Sequence, residues 1–184
     1  MLQNKIIIPV EDNLFLRNFE LEDAQKIFAL VDESREFLQK YASAEQTLND
    51  VEQMIRRACH RHRQDGFGFS TGLWFNETLL GSFSFNRIRW NTKRAEIGFW
   101  LGKPYSGKGY ASKALRAVLQ YGFINLDLNR VEATTAIENL RSIRLLEKAG
   151  FQKEGILRQT LSLDGKWADE CILGLLKKEW KQSP

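Results

Sequence analysis

The segment Ser106-Gly107-Lys108-Gly109-Tyr110-Ala111 carries the residue types and spacing most suggestive of chemistry. It follows a strand-like run and opens a helical pattern, with Ala111, Ala114, Leu115, Val118, Leu119 and Gly122 on one stripe. A junction of that kind binds anions. The first helical N–H groups lack internal partners, and the positive end of the helix dipole points outward. Glycines let the backbone approach a phosphate that a Cβ would hold away. The amides of Gly107, Lys108, Gly109, Tyr110 and Ala111 can therefore cradle a pyrophosphate, with Lys108 and Lys113 adding charge nearby. The structural alternative is a tight turn with a helix cap. A dinucleotide site is a rival, because Gly107-x-Gly109 matches the start of that fingerprint and the next strand contains Glu132. Ser112 stands at its third glycine position.

A second informative stretch reads Glu138-Asn139-Leu140-Arg141-Ser142, followed by Leu145-Leu146-Glu147-Lys148-Ala149-Gly150-Phe151. Taken alone, Asn139 is equally a helix N-cap and Ser142 a polar residue of the first turn.

Around these stretches the pattern alternates between sheet and helix. Leu14, Leu16 and Phe19 suggest a first strand, and Ala24, Ile27, Phe28 and Val31 an amphipathic helix. A second helix begins near Thr47, with Leu48, Val51, Ile55, Cys59 and His62 on one face. Phe67 to Phe75 and Leu79 to Phe85 alternate as strands about an Asn76-Glu77 turn. Ala95 to Leu101 is a third strand, with Ile97 and Phe99 on one face and Glu96, Gly98 and Trp100 on the other. Arg130–Thr135 is a short strand, and Asn139–Ala149 a helix stopped by Gly150. Ile156–Leu163 and Asp169–Leu176 close as a hairpin around Asp164-Gly165. Interleaved helices and hairpins predict a mixed sheet with helices packed on it.

The chain has 184 residues, 43% hydrophobic and 27% charged, which suits one domain over residues 1–184. No linker or repeat divides it. Cys59 and Cys171 are far apart and in no metal-ligand spacing, so buried apolar thiols are expected and no metal site. The short apolar run near Pro9 is not expected to act as a signal peptide, and no run reaches the ~18 residues of a membrane span. A cytoplasmic protein is expected. The net charge of +4 suits an anionic ligand or acidic partner. Direct nucleic-acid binding is not expected, since the basic cluster between Arg56 and Arg63 reads first as a solvated helix end.

Several of these segments, in this order, resemble the GNAT superfamily of N-acetyltransferases, and most closely its RimJ/RimL ribosomal-protein branch. The resemblance spans nearly the whole chain. It runs from Leu14-x-Leu16-Arg17 and Asp23-Ala24 through Ala95-Glu96-Ile97-Gly98-Phe99-Trp100-Leu101. It continues through Gly107-Lys108-Gly109-Tyr110-Ala111 and Asn139-x-x-Ser142 to Lys148-x-Gly150-Phe151. It implies an α/β domain whose mixed central sheet has a splayed parallel strand pair, Ala95–Leu101 and Arg130–Thr135, with helices on both faces. It also implies acetyl-CoA as acyl donor. The Gly107–Ala111 loop would hold the pyrophosphate. Backbone around Trp100 and Leu101 would pair with the pantetheine and the acetyl carbonyl, Asn139 would reach the pantetheine, and Ser142 would lie near the sulfur.

Acyl transfer then asks for a neutral amine, a fixed N–H for the developing oxyanion, a proton acceptor and a donor for the leaving thiolate. The N–H falls near Leu101. Ser142 is the candidate donor and Glu96 the candidate base, with a structural ion pair to Arg94 or Arg130 as the alternative for Glu96. Direct attack in a ternary complex needs no enzyme nucleophile. Three departures from the family pattern stand out. Ser106 replaces the usual Gln or Arg at the loop's first position. No tyrosine follows Tyr121. Leu161 occupies the place of the RimL-type glutamate. The leading acceptor is a protein N-terminal amine, such as that of a ribosomal protein. A small amine (polyamine or antibiotic) and a non-catalytic acyl-CoA-binding module are the alternatives. A homodimer through exposed apolar residues such as Trp74 or Trp90 is a further expectation.

Overall fold

The computed structural model describes residues 6–40, 47–61, 68–163 and 165–181, and the side chains of all of these except 58–61. Eight strands form one sheet in the order β1-β2-β3-β4-β5-β6-β8-β7. They are β1 (Ile7–Glu11), β2 (Leu14–Asn18), β3 (Phe69–Phe75), β4 (Thr78–Arg89), β5 (Arg94–Leu101), β6 (Arg130–Ala136), β7 (Gln152–Leu163) and β8 (Lys166–Leu176). Every neighbouring pair is antiparallel except β5 and β6, which are parallel. The helices are α1 (Ala24–Glu33), α2 (Arg35–Leu38), α3 (Leu48–Arg61), α4 (Tyr110–Gln120) and α5 (Leu140–Lys148). A π-helical turn, Tyr121–Asn125, extends α4.

Strand alternation sorts the apolar residues into two cores. Leu14, Leu16, Leu73, Phe83, Phe85 and Ile97 face Leu115, Val118 and Leu119 of α4 and Ile143 and Leu146 of α5. Phe15, Trp74, Leu79 and Trp100 point the other way, toward Ile27 and Val31 of α1 and Val51 and Ile55 of α3. Helices thus cover both faces, as the resemblance implied.

Three sequence expectations need adjustment or delimitation. Strand β1 was not anticipated, because Pro9 interrupts its apolar run; β1 lies at the sheet edge, where a missing N–H is tolerated. Trp74 is not an exposed dimer residue. It is 1% exposed, with the Arg17 guanidinium 4.1 Å above its ring centre. Trp90 is 39% exposed, and the largest exposures of this kind are Ile156 and Trp167 at 62% and 68%. His62, Arg63, Phe67 and the side chains of Cys59, His60 and Arg61 lie outside the described residues, as does Asp164. The turn at Asn76-Glu77 is present, with Asn76 at φ 51°.

Arg17 and Asp23 tie β2 to the start of α1. The guanidinium donates to both carboxylate oxygens at 2.6 and 2.8 Å, and the Glu20 amide donates to one of them at 2.8 Å. Burial pushes the Asp23 carboxyl up, but the Arg17 and Glu20 hydrogen bonds outweigh it and hold the carboxyl below its ordinary value. Asp23→Ala is expected to cost about 2–3 kcal/mol in urea unfolding, since it strands Arg17 against the core. The pair's contribution is complete above the unfolded carboxylate value of about 3.9 and is lost as pH falls through the lower folded value. The difference between parent and variant should therefore shrink in acid.

Candidate active site

The parallel contact between β5 and β6 is short. Its rungs are Arg94 with Arg130, Ala95 with Val131 and Glu96 with Glu132, and beyond Glu96 the strands separate. Residues 97–101 stay paired to β4 on one side and have no strand on the other. The Gly102 amide donates across to the Leu80 carbonyl at 2.9 Å. Strand alternation therefore turns the Leu101 amide and carbonyl toward the gap. Such groups need a partner, from water or a ligand.

At the top of the gap the chain turns through Lys103–Tyr105 into the glycine loop. Gly107 and Gly109 adopt φ 79° and 84°, and a Cβ on either would meet no protein atom within 4 Å. The space a side chain would fill is open, as a backbone cradle for an anion requires. Gly109 is the N-cap of α4 and supplies no side-chain hydrogen bond, so the first amides of the helix remain available. Across the gap, Asn139 caps α5: its Oδ1 accepts from the Ser142 amide at 3.2 Å. The cap role and a ligand role are compatible, since the Asn139 amide nitrogen and the Ser142 hydroxyl are not used by it.

These elements bound a cleft of about 1460 Å³. Single small-molecule sites occupy roughly 300–1000 Å³, so two reactants fit side by side. Of the residues singled out in the sequence, Trp100, Leu101, Gly107, Gly109, Ala111, Asn139 and Ser142 line it. Lys108 and Tyr110 belong to the loop and the first turn of α4 without lining the cleft. Glu96 lies on the last closed rung, below the gap, and is not a wall residue. The arginines named as its alternative partners, Arg94 and Arg130, both engage Glu132, and Arg130 also pairs with Glu154. Leu161 is in the wall.

The structure adds residues that the sequence reading passed over. Ser70, Ser82, Ser84 and Asn86 form a polar row on the cleft side of β3 and β4. Ser70, Ser84 and Gly98 share one rung across the sheet. Asn86 occupies a bulge in β4, and its amide lies over Gly98, where a Cβ would come within 2.6 Å of Nδ2. The alternation Ser82-Phe83-Ser84-Phe85-Asn86 was the available signal. Thr134 and Thr135 of β6 and Glu170 of β8 also line the cleft. Its charged walls are Lys40, Lys103, Arg141, Arg144 and Lys148 against Glu170 alone, among the described residues. The Arg141 guanidinium of α5 lies 5.9 Å from the centre of the Phe37 ring of α2.

A splayed parallel pair, an uncapped helix behind an open glycine loop and a cationic cleft make a site suited to a phosphate-bearing ligand with an extended arm. The profile described as Acetyltransferase (GNAT) domain matches residues 13–152, and the chain belongs to that family. A probable N-acetyltransferase of Bacillus subtilis, YjcK, is 34% identical over 177 residues, covering 92% of this chain and 97% of that one. A putative ribosomal N-acetyltransferase of the same organism, YdaF, is 30% identical, covering 94% and 96%. Among solved structures, RimL, a ribosomal L7/L12 α-N-protein acetyltransferase, superposes with a TM-score of 0.87 at 23% identity over 94% of each chain. A RimL complex with coenzyme A gives 0.87 at 24%, over 93% of this chain and 98% of that one. The fold is thus that of the RimL enzymes.

The residues present fit coenzyme A. The loop amides and α4 would hold its pyrophosphate, the free edge of β5 its amide-bearing arm, and Asn139 and Ser142 the far side of that arm. No group of three metal-ligating side chains converges among the described residues. No helix among them is long and apolar enough to cross a membrane.

Proposed function

We propose that this protein transfers an acetyl group from acetyl-CoA to a primary amine by direct attack in a ternary complex, and that the acceptor is a protein N-terminal amine of the ribosomal-protein type. The observation that carries this reading is the gap between β5 and β6 opening directly under the glycine loop. When bound, acetyl-CoA supplies an activated acyl carbon. The Leu101 amide would donate to the acyl oxygen, and the Ser142 hydroxyl to the leaving sulfur. Cys171 is buried and its thiol is pushed up by burial, which keeps it protonated and unsuited to carry the acyl group. The surplus of cationic walls suits an acceptor with one amine on a neutral or acidic peptide. A polyamine or aminoglycoside would bring like charges into the cleft. The same reading places the enzyme in the cytoplasm, with its donor and ribosomal acceptors. A second copy would pack on exposed apolar residues such as Trp90, Ile156 and Trp167.

Calorimetric titration with acetyl-CoA, with NAD as the control, tests the reading. Saturable binding of acetyl-CoA alone, followed by thiol release on adding peptides with free N-termini, is the expected result. Binding of NAD in its place would return the loop to dinucleotide recognition. Binding without turnover over a broad amine panel would reduce the protein to an acyl-CoA-binding module. Ser142→Ala should lower kcat about tenfold and leave the KM for acetyl-CoA within about twofold, because its hydrogen bond strengthens only as charge develops on sulfur. Steady-state kinetics at fixed saturating peptide measures both.

A further inference from the structure

The acceptor amine must lose a proton, and the wall contains one group able to take it. We propose, on the acetyl-transfer reading above, that Glu170 is the proton acceptor of this enzyme. Among the described residues it is the only carboxylate lining the cleft. Other carboxylates near the gap are removed or already engaged. Glu96 lies on the closed rung and outside the wall, and Glu132 is held by Arg94 and Arg130.

Three features place Glu170. It sits on β8 opposite Ala136, the last residue of β6, so it flanks the point where β6 leaves the sheet and the chain turns toward Asn139 and Ser142. Directly opposed residues bring their Cβ atoms to about 5 Å, and the neighbouring rungs of β6 carry Thr135 and Thr134, both of them wall residues. Its Oε2 accepts from the Thr160 hydroxyl at 2.9 Å, which fixes the carboxylate, while Oε1 has no partner among the described residues. Thr160 reaches it because β7 bulges between Leu157 and Leu161. That bulge also brings Leu161 into the wall two residues along β8 from Glu170, opposite Ala168.

The step balances as follows. The bound amine arrives as an ammonium and passes one proton to Glu170, directly or through one water, which frees its lone pair. The lone pair forms the C–N bond, the C–S bond breaks with its electron pair on sulfur, and the nitrogen's second proton goes through water to that thiolate, steadied by Ser142. Glu170 then returns its proton to solvent.

The test is the pH dependence of kcat at saturating acetyl-CoA and peptide for the parent and Glu170→Gln, a near-isosteric change that keeps an acceptor for Thr160. In the parent, the proton moves within the complex, so kcat should stay level as pH falls from about 8, the ordinary α-amino value, toward about 6. In E170Q only peptide that arrives neutral can react, so kcat should drop about tenfold per pH unit over that range and approach the parent near pH 9. Calorimetric binding of coenzyme A within about twofold of the parent confirms that the variant is folded. Three results would overturn the proposal: a parent kcat that already falls tenfold per unit, a pH-independent loss in E170Q, or the same pH signature in Glu96→Gln and not in E170Q. Should E170Q not fold, a parent kcat that falls tenfold per unit would still overturn the proposal. Absence of any transfer by the parent, with coenzyme A bound, would overturn the acetyl-transfer reading itself, and the role of Glu170 with it.

Discussion

Gly109→Val is expected to weaken acetyl-CoA binding by at least about 100-fold, or roughly 2.7 kcal/mol. Two effects combine. Gly109 holds φ 84°, a region that costs an L-residue about 1–2 kcal/mol, and a β-branched side chain tolerates it worst. No protein atom lies within 4 Å of the added Cβ, so the folded protein has room for the side chain. On the proposed reading the displaced body is the ligand, whose phosphates would need the space and the amides behind it. Stability should therefore fall modestly while affinity falls steeply. Calorimetry with acetyl-CoA and thermal melting separate the two. A variant that kept its affinity within threefold would show that no phosphate sits against this loop.

Gly81→Ala is expected to cost about 3 kcal/mol in urea unfolding. A Cβ there would lie 2.2 Å from the Trp100 carbonyl oxygen and 2.8 Å from the Leu101 Cα. Both are backbone atoms, so no side-chain rotation relieves the clash; β5 itself has to move. The residues displaced are the same Trp100 and Leu101 that present the free strand edge to the gap. Acetyl-CoA affinity should fall together with stability, as it would not for a remote core lesion. Gly155→Ala is the matching control, because the nearest atom to its Cβ is 3.7 Å away. Equal stability of parent and G81A would mean that β4 and β5 yield at the cleft floor.

Much of this was legible because it is local in sequence. The glycine loop, the helix that follows it and the Asn139–Ser142 turn are each encoded within a few residues, and their physics survives without knowledge of the fold. Other features depend on which segments meet. Trp74 looked like a surface residue until α1 and the Arg17 side chain were seen to cover its face of β3. Glu96 shares a strand with Trp100 and Leu101, but the rung at which the sheet opens is set by β6 and β8, far along the chain. Glu170 shares the cleft with the polar row of Ser70, Ser84 and Asn86, although β8 lies far along the chain from β3 and β4. Pro9 masked β1 because a proline excludes interior strands and not edge ones.

The two cores have a consequence for how the molecule breathes. The layer of α4 and α5 shares one deep core with most of the sheet, whereas α1 and α3 rest on a smaller cluster on the opposite face. Units of unequal depth open at unequal free energies. The α1–α3 layer can lift while the other half remains native. Phe37, Met54 and the neighbouring wall are carried by that layer, and the glycine loop by the other. Amide hydrogen exchange is therefore expected to run faster in α1 and α3 than in α4 and α5.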